Sequence, residues 1–355
     1  MEPGLTTSTH LSNGAAGPTI QLISFGPSDF QELNIDDIEQ LPSLLSQPDM
    51  VHWLNVDSVE DVELVQRIGE MFSLHPLAIE DVHHVHQRSK VEEYDGYLFI
   101  VVRMAALENA DVVTEQLSLF LRGHCVVTFQ EGRPGDCLGP LRERIRRANA
   151  PVRRFGADFL MYSILDASID SYFPLLEQFG ERLDELEEVA EAPRVRGLIG
   201  ELHKIRRNLL TMRRSIWPLR DAINGLLRTD HELIHAETRF HLRDCLDHTV
   251  QLIDVSETYR EVCSDLRELQ YANVNQRTND VMRVLTIIAT IFMPLSFVAS
   301  LYGMNFKTEV SEWNMPELSW RFGYPFALGI MLTIFLAMIV SFWRWGWIGR
   351  QSNLE

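Results

Sequence analysis

Residues 284–306, VLTIIATIFMPLSFVASLYGMNF, run for 23 positions without a charge, directly behind Asp280 and Arg283. At about 1.5 Å of rise per residue, a helix of that length reaches roughly 34 Å, enough for the ~30 Å hydrocarbon core of a bilayer. A second uncharged run, 322–343, follows a short polar loop. Two such runs behind about 280 mostly polar residues predict a membrane protein with a large water-facing domain. The mean hydropathy near zero hides this division, because a charged front averages against an apolar tail.

The formal net charge of −18 excludes nucleic acid and anionic lipid as main partners. It suits a chain that handles cations, and equally a merely soluble surface. Cys125, Cys137, Cys245 and Cys263 show no CxxC pair and no zinc spacing, so they read as reduced thiols. Residues 1–19 lack a basic segment followed by an apolar run. They read as a disordered leader rather than a secretory signal. A front without a signal stays in the cytosol, and two spans return the C-terminus to the same side. Arg277 and Arg283 before the first span, and Arg344 and Arg350 after the second, agree with that orientation.

From residue 20 to about 155 the pattern is mixed α and β. Residues 20–24, 51–56, 97–104, 116–121 and 125–130 read as strands, and 59–74 as an amphipathic helix. No GxGxxG or GxxxxGK is present, and no Ser/His/Asp arrangement has motif support, so no enzyme is expected. Residues 156–234 read as an antiparallel helical hairpin: an acidic helix, 157–192, stopped by Pro193, then a basic one, 195–228. The opposite charges are expected to face each other and water, or else the acids gather cations near a pore mouth. From residue 235 no breaker appears until Pro294, so one helix should run to about 303, with its membrane part at 284–303. A loop at 304–321, a second span at 322–343 and a tail at 344–355 complete the scheme. A helix of some 65 residues needs partners along its length, most simply copies of itself.

Polar residues recur along one side of that helix: Asp254, Glu257, Glu261, Asp265, Glu268, Asn275 and Asn279. The same register continues through Met282, Leu285, Ala289, Met293, Ser296 and Ser300, since steps of three, four or seven keep one face. In a symmetric ring each position becomes a collar of identical side chains, acidic collars attracting cations and apolar ones gating by dewetting. The competing reading is a solvated acidic face with Met282 and Met293 as ordinary packing residues.

The end of the first span reads Tyr302-Gly303-Met304-Asn305, followed by MPEL at 315–318 and GYP at 323–325. With a second span behind it, this combination resembles the CorA family of magnesium/cobalt channels. Residues 75–104, 215–223, 243–251 and 278–297 also look like that family's cytosolic domain and stalk helix. The resemblance implies an α+β cytosolic domain with a mixed sheet and helices, a very long stalk helix and two C-terminal transmembrane helices, assembled as a homopentameric funnel in the plasma membrane. It implies Mg²⁺ as the transported and regulatory ion, with Co²⁺ also carried. The related zinc-transporting branch, with proton coupling open to it, is the alternative; it shares Gly-Met-Asn but differs in its loop. A two-span anchored receptor would leave the amide and the acidic stripe without a purpose.

Mg²⁺ holds its water tightly and prefers oxygen ligands. A ring of Asn305 side chains and Gly303 carbonyls is therefore expected to hydrogen-bond the hydrated ion. Gly303 would permit the turn out of the helix, Met304 would brace the loop and Glu317 would concentrate cations. By matching motifs, Asp81 and Asp244 from neighbouring subunits would form a cytosolic metal-sensing site, with Glu80 and His248 as outer contributors. The chain departs from the family in its weakly basic tail, in Glu268 where an Asp is usual and in a longer loop at 307–314. His75, His83, His84 and His86 read as capping and surface residues.

Overall fold

The computed structural model describes residues 18–133, 135–148, 150–190, 197–228, 231–304, 311 and 313–348. The chain divides into two compact units, Met1–Arg267 and Glu268–Glu355, each described by itself.

The first unit is built on a seven-stranded sheet: β1 (Ile20–Phe25), β2 (Phe30–Asn34), β3 (Val51–Val56), β4 (Lys90–Tyr94), β5 (Tyr97–Glu108), β6 (Asp111–Arg122) and β7 (Cys125–Phe129). The strand order is β2-β1-β3-β7-β6-β5-β4. Only β3 and β7 run parallel; every other neighbouring pair is antiparallel. The sheet is thus mixed, as expected. β5 and β6 join through Asn109 and Ala110, both at positive φ (52° and 64°), the twist a two-residue hairpin favours. Asn208 pins that hairpin, accepting from the Val112 N–H and donating to the Ala110 carbonyl, each at 3.1 Å.

Because strand side chains alternate, the sheet buries two faces. One packs on α1 (Leu41–Leu44), α2 (Val62–Met71) and α3 (Pro76–His83), where Leu54, Val56 and Phe129 meet Val65, Ile68 and Ala78. The other carries the larger core, under α4 (Gly139–Arg146), α5 (Ala157–Asp170), α6 (Phe173–Ala190), α7 (Leu198–Arg228) and the first part of α8 (Ala236–Tyr302). Asp61 starts α2 by accepting from the Leu64 N–H at 2.9 Å, and His75 caps α3 ahead of Pro76. The capping role expected for His75 is observed.

Two readings of the hairpin change. The expected single helix 157–192 is α5 and α6, interrupted at Ser171–Tyr172. There the Tyr172 hydroxyl donates to the Arg103 carbonyl at 2.8 Å, and the Ala105 N–H donates to Ser171 Oγ at 3.2 Å, so sheet contacts replace helix continuity. The expected facing of an acidic α6 by a basic α7 is replaced by an apolar seam of Leu176, Phe179, Leu183 and Leu186 with Leu202, Ile205 and Leu209. Arg207 and Arg213 pair elsewhere, with Asp111 at 2.6 Å and Glu257 at 2.9 Å. The one ion pair between α6 and α7 among the described residues has reversed sign, Arg182 on α6 with Glu201 on α7 at 3.7 Å.

α8 is one helix of 67 residues that contains Pro294. A 3₁₀ turn, Pro316–Ser319, precedes α9 (Gly323–Arg344). α8 and α9 each hold a stretch long and apolar enough to cross a membrane, and little of either stretch is buried within the chain. The architecture is therefore a mixed sheet with helices, a long helix and two C-terminal apolar helices.

Candidate functional site

Along α8, Glu268, Asn275, Asn279, Met282, Leu285, Ala289, Met293, Ser296 and Ser300 are all exposed in the single chain. Exposure alone does not single them out, because Val284, Phe292 and Phe297 are exposed as well. Angular position does. At about 100° per residue, Leu285, Ala289, Met293, Ser296 and Ser300 fall within roughly 40° of one line. Ile287, Ile291, Pro294 and Val298, which are buried or half-buried, fall on the opposite side. The stripe is thus the face of the apolar segment turned farthest from what the chain itself covers.

At the end of that segment the Gly303 N–H donates to the Ala299 carbonyl at 3.0 Å and the Met304 N–H to the Leu301 carbonyl at 3.2 Å. Gly303 does not adopt a positive φ, and a Cβ there would sit 3.4 Å from the Ala299 and Ser300 carbonyls. The chain's own turn therefore does not demand glycine, contrary to the expected reason for it. Met304 is exposed. Asn305, on which the amide reading depends, lies outside the described residues, as do Lys307, Glu309 and Glu312. Glu317 is half-buried, with Oε2 shielded from solvent and unpartnered among the described residues. Its backbone packs so closely on Gly323 that no Cβ would fit there.

The cytosolic carboxylates sit on two elements. Asp81 lies near the end of α3, whose main chain is tied to the sheet by Gln116 Nε2 donating to the Asp81 carbonyl at 3.0 Å. Its carboxylate accepts from Lys90 Nζ at 2.5 Å and from Gln87 Nε2 at 2.7 Å. Burial works against the Lys90 charge, yet Asp81 and Glu92 outweigh it and hold the ammonium above its ordinary range. Glu80 points elsewhere, toward the exposed His84 at 3.9 Å. Asp244, on α8, is largely exposed and lies 3.9 Å from His248 Nε2. No ion pair or hydrogen bond joins Asp81 to Asp244 among the described residues.

His248 instead completes a group that sequence reading missed. Asp166 and Asp170 on α5 and His248 on α8 bring one ligand atom each within 4.8 Å of one another. Burial, reinforced by Asp170, raises the Asp166 carboxyl above its usual range. His248 Nδ1 is buried without a partner among the described residues, while its ring meets Phe173 edge-on at 5.7 Å. Two helices each offering ligands at i and i+4, Asp166/Asp170 and Asp244/His248, were the available signal. Neither pair announces in sequence that the helices cross there.

Residues 49–344 match the family described as CorA-like Mg2+ transporter protein. The chain belongs to this family. The cobalt/magnesium transport protein CorA of Thermotoga maritima is 41% identical over 332 residues, covering 93% of this chain and 92% of the relative. The putative metal ion transporter YfjQ of Bacillus subtilis is 36% identical over 305 residues, 85% of this chain and 92% of its own length. The complete structure of the CorA magnesium transporter from Methanocaldococcus jannaschii shares the fold with TM-score 0.76 at 23% identity, covering 92% of this chain and 98% of that one. CorA proteins form a family of membrane transporters, and the two C-terminal apolar helices fit that membership.

Proposed function

We propose that this chain is the subunit of a homopentameric Mg²⁺ channel of the plasma membrane, with Co²⁺ as a second permeant ion. Residues 284–303 and 322–343 cross the bilayer, 304–321 face outward and both termini are cytosolic. The observation that carries this reading is the stripe on α8. Its positions from Glu268 to Ser300 are exposed, and between Leu285 and Ser300 it is turned away from the chain's own covered face, where identical copies around an axis would line a path. Symmetry turns Asn305 and the Gly303 carbonyl into collars of oxygen at the outer mouth. Such collars accept hydrogen bonds from an ion's water shell without stripping it, and Mg²⁺ gives up its water reluctantly. Because the Gly303 backbone itself tolerates a side chain, its glycine serves the approach of copies to the axis. Glu317 adds negative charge near the mouth, and Glu268 does so on the stripe inside.

Asp81 and Asp244 of adjacent subunits, with Glu80 nearby, form the cytosolic sensing site, and Asp166, Asp170 and His248 extend it. The carboxylates suit Mg²⁺, a hard cation; the imidazole suits Co²⁺. A divalent cation bound there would neutralise carboxylates that otherwise repel across the interface, and its loss would free the subunits to move. The cobalt/magnesium relative at 41% identity favours this reading over the zinc-transporting branch.

Asn305→Ala is the direct test, made in cells lacking other Mg²⁺ uptake and in liposomes under an imposed voltage. Flux and growth on low Mg²⁺ should fall at least about tenfold, as expected when one ring of hydrogen bonds to the ion's shell is lost. Flux equal to that of the unaltered protein would remove Asn305 from the filter.

A further inference from the structure

A polar crevice lies at the carboxyl ends of β3 and β7, the one parallel pair in the sheet. From β3 the chain continues to α2, whose Val65 and Ile68 pack on one face of the sheet; from β7 it continues to α4, whose Leu141 and Ile145 pack on the other. Adjacent parallel strands whose connections leave to opposite sides leave a gap between them, the general ligand position in open α/β sheets. Here the gap has a volume of about 550 Å³, within the range of small-molecule sites, and Thr19, Asn55, Asp57, Gln130, Gly132 and Arg133 line it.

Its floor is an ordered chain of hydrogen bonds. Trp53 Nε1–H donates to Thr128 Oγ1 at 2.9 Å, and that hydroxyl donates to Asn55 Oδ1 at 2.7 Å. Gln130 Nε2 donates to the same Asn55 oxygen at 3.1 Å and to Asp136 Oδ2 at 2.9 Å. Asp136 in turn receives both terminal nitrogens of Arg142, at 2.8 and 2.6 Å. Indole donates only and carboxylate accepts only, so the direction of the chain fixes both amides. Asn55 must present Oδ1 inward and Gln130 must present Nε2 inward. Their other atoms, Asn55 Nδ2 and Gln130 Oε1, have no protein partner among the described residues. Both side chains are at least nine-tenths buried, and both line the crevice. The floor therefore offers an N–H donor on Asn55 and a carbonyl acceptor on Gln130, both open to the crevice and carried on side chains held by the hydrogen-bond chain.

Charge narrows the ligand. Asp136 neutralises Arg142, Arg133 faces Glu108 and Glu131 at 3.5 Å each, and Asp57 already accepts the Thr19 N–H at 2.6 Å. Among the described residues that line the crevice, no uncompensated cation remains for a phosphate. We infer that the crevice binds an uncharged nucleoside, read along a base edge that carries an acceptor beside an exocyclic amino donor: the acceptor takes the Asn55 Nδ2–H and the amino group donates to Gln130 Oε1.

The test uses the purified full chain in detergent, with adenosine, N6,N6-dimethyladenosine and AMP as probes, read by titration calorimetry. Adenosine should bind saturably, one per chain, with Kd below about 1 mM, and the dimethyl analogue, lacking the amino hydrogens, at least about tenfold more weakly. Asn55→Asp, which keeps the accepting oxygen and removes the donor, should cost about tenfold or more. Thr19→Trp, at the exposed rim and outside the polar chain, should block binding while leaving the melting temperature unchanged. No saturable adenosine binding, equal binding of the dimethyl analogue, or binding indifferent to both substitutions would overturn the inference. AMP binding about tenfold tighter than adenosine would also overturn it, by showing a phosphate site instead.

Discussion

Lys90 occupies the carboxylate that the proposed sensor needs. Its ammonium lies 2.5 Å from Asp81 and 2.6 Å from Glu92, both part-buried contacts, so a divalent cation reaching Asp81 must compete with it. Removing that competitor should strengthen the site. Lys90→Met, which keeps an apolar stem and removes the ammonium 5.3 Å from the Phe99 ring centre, is expected to lower the Mg²⁺ concentration for half-maximal protease protection by about tenfold, equivalent to about 1.4 kcal/mol. An unchanged or raised midpoint would show that Lys90 helps build the site rather than blocking it. What the sequence made legible at this scale was residue type and motif neighbourhood: Asp81 in IED and Asp244 in RDCLDH. It did not show that Asp81 is already hydrogen-bonded by Gln87 and Lys90, because a bond between residues six and nine apart depends on how the chain turns from α3 into β4. Nor did it show Asp166 and Asp170 beside His248, which only the crossing of α5 and α8 creates.

The elements most legible in the sequence were those whose burial gives a clean pattern. Val51–Val56 lies wholly inside the sheet and was delimited residue for residue, while β5 and β6 were recognised but read short at the ends that meet in their shared hairpin. β2 (FQELN) and β4 (KVEEY) escaped because they form the two sheet edges, where one side meets water and charged residues replace the apolar alternation. The α6–α7 hairpin misled for the opposite reason: its charge pattern was loud, but exposed charges contribute little. Asp184, Glu187 and Glu188 are exposed on α6, whereas Leu183 is 2% exposed in the seam. A triple change of those acids to Asn or Gln should alter stability by no more than about 0.5 kcal/mol. Leu183→Ala should cost about 3 kcal/mol through the cavity it leaves. Urea unfolding of the two variants under identical conditions decides between them. A larger loss from the charge triple would restore the electrostatic hairpin.

A charge of −18 on each chain means that copies gathered round one axis repel wherever their acidic surfaces meet. Salt of any kind weakens such repulsion, since the Debye length falls to about 8 Å at physiological ionic strength. A divalent cation bound at particular carboxylates does something different: it joins those residues directly, at concentrations too low to screen the rest. The two effects separate in one experiment on the assembled protein in detergent, stripped of divalent ions with EDTA and challenged with protease. Mg²⁺ should protect at an ionic strength at least about tenfold below the NaCl level that gives equal protection. The paired substitutions Asp81→Asn and Asp244→Asn should abolish that advantage and leave the NaCl response in place, because two neutralised sites barely change the total charge. If NaCl matched Mg²⁺ at equal ionic strength in the unaltered protein, the protection would be general screening and the inter-subunit sensor would fall. If the double variant kept the full Mg²⁺ advantage, specific binding would stand but would have to reside elsewhere, with Asp166, Asp170 and His248 the group to substitute next.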